Sequence, residues 1–268
     1  MERTPKTYAQ RRNREPELRV GTSGWHYASW FGPFYPHGLK KKDALSYYVT
    51  EFGTAELNAP FYRTPTEAAV TNWLESTPDD FRFAWKASRF ITHWRRLIVN
   101  DDALKLLESR LKLLRHKLGP VLFQLHPKMT KNRERLATFL DALPEGRLYS
   151  FEFRHESWYD DDIFGLLTDY DASLCISDHA DAPAPREVTA SWVYVRLHGV
   201  DGRYHGSYSP QALGSWAGEM RGWRAEGRDV WCFFDNDVAA AAPRDARRLL
   251  EYVERGDARM LDAAGGRR

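Results

Sequence analysis

From residue 18 the chain alternates eight times between a short run of strand character and a segment of helical spacing, and few folds accept that rhythm. The first unit is LRVGTSG followed, after a long aromatic loop, by a helical pattern over 43–52 with Asp43 as its expected cap. Strands are then expected at 55–58, 81–87, 121–125, 148–154, 172–177, 192–198 and 229–234. The matching helices fall at 66–75, 101–118, 133–143, 161–170, 210–226 and 242–254, with a weak or missing sixth helix near 183–188. Eight strand–helix units in roughly 240 residues is the count and size of a TIM-type (β/α)8 barrel with eight parallel strands. The rival α/β fold, a doubly wound open sheet, is expected to carry a Gly-rich phosphate turn after its first strand; GTSGW is not GxGxxG.

The expected organisation is a disordered basic arm over 1–17, a barrel domain over 18–255 and a flexible C-terminal tail over 256–268. With 268 residues, 43% of them hydrophobic, the chain can bury one large core. The 39 basic residues against 37 acidic give a formal charge of +2, so no global field draws it to nucleic acid or an anionic membrane, and anion binding has to be local. No stretch reaches the roughly 18 apolar residues a spanning helix needs, and the start lacks a secretory apolar region, so a cytoplasmic protein without membrane contact is expected. The two cysteines, Cys175 and Cys232, sit in apolar runs and read as reduced core thiols.

Strand parity locates the candidate chemistry. In YSFEFRHESW, Phe151 and Phe153 face one way while Glu152 and Arg154 face the other. Burying that acid and base costs several kcal/mol unless each finds partners, so other strands are expected to supply them. The same parity yields Glu56, Asn58, Lys86, Gln124, His126, Asp178, Arg196, His198 and Asn236 near strand ends, where a purely structural barrel centre would place Val, Ile and Leu. For Glu56, Glu152, Arg154 and Arg196 two readings stand side by side, a buried salt-bridge network and a ligand site. Asn58, Lys86, Asp178, His198 and Asn236 lie beyond the strand midpoints and are read as lining a site on the C-terminal face.

Two loops are rich in aromatic and basic residues. The first, SGWHYASWFGPFYPHGLKKK, holds Trp25, His26, Tyr27, Trp30, Phe31, Phe34 and Tyr35 and ends in Lys40, Lys41 and Lys42. The second, KASRFITHWRR, holds Lys86, Arg89, His93, Trp94, Arg95 and Arg96. As packing they cover helix ends; as function they offer stacking faces beside cations that hold phosphate. Glu152, Asp178, His198 and Asp235 form the candidate set for a divalent metal, Zn, Mn or Fe, although no HxxxH, HExxH or CxxC fixes a spacing. Carboxylate pairs such as Glu152 with Asp178 or Asp235 also suit glycoside cleavage, and the absence of GxSxG disfavours a serine nucleophile.

The motifs GTSGWHYASWFGPFYP, ELNAPFYRTP, FRFAWKASRFITH, GPVLFQLHP, FEFRHESW, VYVRLHG, YHGSY and FFDND, in this order over about 19–253, resemble the domain-of-unknown-function 72 (DUF72), or YecE-like, family. The resemblance implies a TIM-type barrel similar in plan to endonuclease IV and xylose isomerase, a likeness that suggests DNA binding or a phosphoesterase. Trp25, Asn58, Tyr62, Lys86, Glu152, Arg154, His155, Trp158, Arg196, His198, Asn236 and Asp237 match the family pattern. The chain departs from it at His126, where the family tends to proline, at Asp235 in place of an asparagine, and at Asp245 in place of a later asparagine. If Asp235 faces inward, Asn236 cannot.

The resulting expectation is an enzyme, a hydrolase of unspecified reaction, acting on an anionic phosphate-bearing ligand, with a metal-dependent phosphoesterase of endonuclease IV type as its most concrete form. Glu152, Asp178, His198 and Lys86 are its catalytic candidates. Trp25, His26, Asn58, Tyr62, Arg89, Arg154, His155, Trp158, Arg196, Asn236 and Asp237 are its ligand-binding candidates. The rivals are a carbohydrate-active hydrolase using paired carboxylates and a non-catalytic nucleic-acid-binding protein using Lys40 to Lys42 with Arg95 and Arg96.

Overall fold

The computed structural model describes residues 14–265. Eight parallel strands form the barrel: β1 Leu18–Thr22, β2 Thr54–Leu57, β3 Arg82–Lys86, β4 Leu118–Gln124, β5 Tyr149–Glu152, β6 Ser173–Ser177, β7 Trp192–Leu197 and β8 Asp229–Phe234. The helices are α1 Ala44–Tyr48, α2 Ala59–Tyr62, α3 Glu67–Glu75, α4 Asp101–Leu113, α5 Arg133–Ala142, α6 Asp161–Asp169, α7 Pro210–Ala225 and α8 Ala241–Gly265. The strand order β1-β8-β7-β6-β5-β4-β3-β2 is a TIM-type barrel that is nearly closed. The last gap, between β1 and β2, is spanned by a single bridge from Ser23 to Glu56. β1 follows β8 in register over five residue pairs, whereas β5 meets β6 over only two. The ring is therefore two four-stranded ribbons, β6-β7-β8-β1 and β2-β3-β4-β5, meeting at two lightly bonded seams.

Two cores account for the alternation of side chains. The larger lies between strands and helices, built from outward residues such as Phe83, Trp85, Phe123, Phe151, Val193 and Val195. The smaller fills the lower barrel interior with Ala84, Leu122, Cys175, Trp192, Tyr194, Trp231 and Phe233. Trp231 needs room there, and Gly119 provides it: a Cβ at 119 would lie 2.8 Å from the indole ring. At the β1–β2 seam a Cβ on Gly21 would sit 2.2 Å from the Thr54 carbonyl oxygen, so only glycine lets these strands approach. The apolar plug closes the bottom of the barrel, and the polar residues of the same parity stand above it at the C-terminal mouth.

Helix starts on the mouth side are capped by side chains. Asn100 accepts from the Ala103 N–H at 2.9 Å, Asn132 from Arg135 at 2.8 Å and Ser209 from Ala212 at 3.1 Å. Asp43 makes no such bond, because it ends a 3-10 turn, Lys41–Asp43, that runs into α1. The 178–191 connection between β6 and β7 contains no helix, as the sequence suggests. α2, which follows β2 directly, has no counterpart in the expected pattern and places Tyr62 at the mouth. Of the arm expected over 1–17, residues 1–13 lie outside the described residues; Arg14 and Glu17 are tied to Asp229 at the start of β8. Residues 256–265 of the expected tail continue α8 as helix. Cys175 and Cys232 are buried and unpaired. Among the described residues no helix is long and apolar enough to cross a membrane.

Candidate functional site

Arg196, fully buried on β7, is the hub of the barrel interior. Its Nε donates to Glu56 Oε2 at 3.1 Å. One terminal nitrogen donates to Glu152 Oε2 at 2.8 Å and to His198 Nε2 at 3.1 Å. The other donates to Glu56 Oε1 at 2.9 Å, Asp235 Oδ2 at 2.8 Å and Ser23 Oγ at 3.1 Å. Every N–H of the guanidinium is used, so Arg196 holds the mouth together and has nothing left for a ligand. Glu152 is shared: Arg154 Nε donates to its Oε1 at 2.5 Å, and Gln124 Nε2 lies 3.2 Å from both oxygens. Tyr194 OH donates to Glu56 Oε2 at 2.6 Å. Burial alone would push Glu152 and Asp235 up. Arg154 and Arg196 outweigh it at Glu152, and Arg196 and Lys86 at Asp235, so both stay ionised below the usual carboxylate range, Glu152 well below it. The four residues with two readings thus form the buried salt-bridge network.

His198 is equally committed. Arg196 and Arg154 both point donors at its Nε2, the latter at 3.2 Å, which leaves that nitrogen as acceptor and places the hydrogen on Nδ1. Nδ1 faces Asp178 Oδ1 at 3.3 Å and Ser177 Oγ at 3.4 Å. Asp178 also accepts the His198 backbone N–H at 2.7 Å and a very short bond from Tyr208 OH. Of the four catalytic candidates, three have their polar atoms engaged within the protein.

Lys86 is different. It ends β3, is 5% exposed, and its ammonium lies 4.4 Å from the centroid of the Phe61 ring. Among the described residues no oxygen hydrogen-bonds to Nζ. Burial, and then Arg196, lower its pKa to about 8 against the pull of Asp235, Glu56 and Glu152. On the far side of the same mouth, burial and the neighbouring Asp235 push Asp237 up to about 6. Tyr27 lies between Asp237 and Asn58, its hydroxyl donating to Ser23 O at 2.6 Å. Asn58 Oδ1 is buried with no partner among the described residues.

The rim above β3 and β4 is where cations are in excess. A π-helical turn, Phe90–Trp94, follows β3 and directs Arg89 between two exposed rings, 5.7 Å from that of Tyr62 and 5.5 Å from that of Trp94. These rings are 61% and 67% exposed, which packing does not explain. His93 sits inside the rim, edge-on to Phe61 and to His126. Burial lowers its pKa to about 4, and His126, Lys86, Arg154 and Arg89 push it the same way. The cations Lys86, Arg154 and Arg89 thus set a positive field at His93.

Several expected ligand residues are placed elsewhere. Trp158 is fully buried, stacked on Phe153 at 4.8 Å, with its indole N–H on Met129 O. His155 caps the turn Glu156–Trp158 by accepting from Ser157 N. Trp25 packs edge-on against Trp73 and near Tyr48 and Phe83, and His26 is exposed. Asn236 turns away from Asp235, as parity requires, and donates to Gly206 O and to the buried Asp245, fastening the 199–206 loop to α8. The metal reading needs correction. Among the described residues no three His, Cys, Asp or Glu side chains converge as a ligand set, and Glu152, Asp235 and His198 converge instead on a guanidinium that a metal ion would have to displace. Tyr194, Ser23, Tyr208 and Tyr204, whose hydroxyl accepts from Arg154 at 3.4 Å, lie outside the expected site residues. Tyr194 lies two before Arg196 and was reachable by parity; the tyrosines of the 199–208 loop have no period to betray them.

Comparison with known proteins agrees with this architecture. The sequence profile described as "Protein of unknown function DUF72" matches residues 19–266. The UPF0759 protein YunF of Bacillus subtilis is 24% identical over 88% of this chain and 95% of its own length. The UPF0759 protein YecE of Escherichia coli is 34% identical over 53% of this chain and 50% of its own. Among solved structures, a DUF72 family protein of Thermotoga maritima superposes with a TM-score of 0.81 at 24% identity, covering 89% of this chain and 99% of that one, a likeness of fold.

Proposed function

The chain belongs to the DUF72 family, and from that premise we propose that its barrel mouth is an enzyme site for a small phosphate-bearing ligand, bound on the β3–β4 rim with its reacting end at Lys86. The observation that carries this reading is the gathering of the cations Lys86, Arg154 and Arg89 about His93, whose ring packs edge-on to the Phe61 ring that the Lys86 ammonium covers. The interior network cannot serve as the anion site, since its three carboxylates, Glu56, Glu152 and Asp235, outnumber its two guanidiniums, Arg154 and Arg196. Arg89 between the exposed Tyr62 and Trp94 rings adds a stacking surface beside the charge. Lys86 and Asp237 supply groups that titrate near neutrality, the requirement for proton transfer.

Calorimetric titration with adenosine 5′-monophosphate and with adenosine, at about 50 and about 200 mM salt, tests it. The nucleotide is expected to bind more tightly than the nucleoside, to weaken as salt rises, and to lose about tenfold in Arg89→Ala. Equal binding of both, indifferent to salt, overturns the reading.

One observation favours a carbohydrate-active alternative: Glu152 is held low while Asp237 is pushed up, the separation an acid–base carboxylate pair requires. It predicts salt-independent binding of neutral oligosaccharides that Asp237→Asn removes.

A further inference from the structure

The barrel interior contains a nucleophile that the network leaves unused. Two lysines are buried among the described residues, and they contrast sharply. Lys117 donates to Leu74 O at 2.7 Å, Thr77 O at 2.6 Å and Thr77 Oγ1 at 3.3 Å, so its charge is fully satisfied and its role is structural. Lys86 has an aromatic ring under its nitrogen and no hydrogen-bond acceptor, although three carboxylates stand nearby. Those carboxylates are already bound by Arg196, and Glu152 by Arg154 as well. An amine that is desolvated, placed beside a fixed guanidinium and left without acceptors spends more time neutral than a surface lysine, with a free lone pair. Its position at the end of β3 directs it to the face where barrel sites are built.

We infer that Lys86 captures the carbonyl carbon of an aldehyde or ketone that carries a phosphate group, forming an imine at the barrel mouth. The phosphate half rests on the reading above; the imine half rests on Lys86 alone. In the step the neutral amine adds through its lone pair to the carbonyl carbon, giving a carbinolamine. Loss of the former carbonyl oxygen as water, with both hydrogens leaving the nitrogen, completes the C=N bond, and one proton from solvent gives the iminium. No oxidant or reductant is needed. The ammonium of Lys86 must first lose its proton, which at a pKa of about 8 happens far more readily than at the 10.5 of an ordinary lysine.

The experiment uses the full chain with pyridoxal 5′-phosphate and, separately, pyridoxal, each followed by borohydride reduction, digestion and mass mapping. Reduction fixes the imine by adding hydride to its carbon. The expected result is an adduct concentrated on Lys86, formed fastest from the phosphorylated aldehyde, with a rate that rises through about pH 8. Lys86→Met should abolish it. An adduct on Lys86 with no preference for the phosphorylated aldehyde keeps imine formation and removes the phosphate reading. Adducts confined to exposed lysines such as Lys40, Lys41 and Lys42, with nucleotide binding intact, overturn imine formation and keep the phosphate reading. Mapping on the unmodified sequence decides the matter even if Lys86→Met fails to fold.

Discussion

At the scale of the residue, Arg196 and Lys86 stand in the same barrel and meet opposite fates. Arg196 is buried with every donor matched, so removing it leaves Glu56 and Asp235 without a guanidinium and Glu152 with Arg154 alone. Arg196→Met is expected to cost about 3–5 kcal/mol, read as a shift in the urea midpoint at neutral pH. A change below about 1 kcal/mol would mean that water or a rearranged Arg154 satisfies the acids. The identity of these residues was legible from parity: Glu152 and Arg154 on one face of a strand demanded partners, and Glu56 and Arg196 provide them. Their division of labour was not legible. Which carboxylate each guanidinium takes depends on the register between neighbouring strands, such as Ser177 beside Arg196 and Gln124 beside Glu152. Strand position alone points to Glu152, Asp178 and His198 as working groups, whereas their hydrogen bonds commit them to the protein.

At the scale of the element, the β1–β2 seam is set by one residue without a side chain. Gly21→Ala forces a methyl group onto the Thr54 carbonyl, and a backbone atom cannot swing aside. The expected loss is roughly 1–3 kcal/mol. Amide exchange should show it as faster opening in β1 and β2 than in β7 and β8, and uniform loss of protection would argue against a local seam. All eight strands could be read from the sequence because each is a short apolar run between turn-forming residues. α2 escaped, since APFY is too brief for helical periodicity and contains a proline. The π-helical turn escaped as well: its widened spacing leaves no pattern, yet it places Arg89 and Trp94 on the rim.

For the whole molecule, acid should be the damaging direction. His93 and His179 have folded pKa values of about 4, below the ordinary 6.5, so between those limits the unfolded chain takes protons that the fold refuses. Stability therefore falls as pH drops from 6.5 towards 4. Glu152 and Asp235, held low, act in the same sense as pH falls further. Asp237, raised to about 6, works against them, because the fold holds its proton more tightly than the unfolded chain between 3.8 and 6. His93→Asn should flatten part of the decline, seen in urea midpoints measured from about pH 7 down to about pH 4.5. An unchanged slope would show that His93 is not refusing its proton.

The two-ribbon construction of the ring has a mechanical side. Its compliance is concentrated at opposite seams, where backbone bonding is sparse, and Arg196 on β7 reaches across to Glu56 on β2 and Glu152 on β5. These ion pairs act as guy-lines between the ribbons. Because they are buried, dissolved salt does not slacken them. A ligand group that competes for Glu152 or Glu56 thus pulls on the same lines that keep the mouth from splaying, and filling the mouth and changing its width become one event.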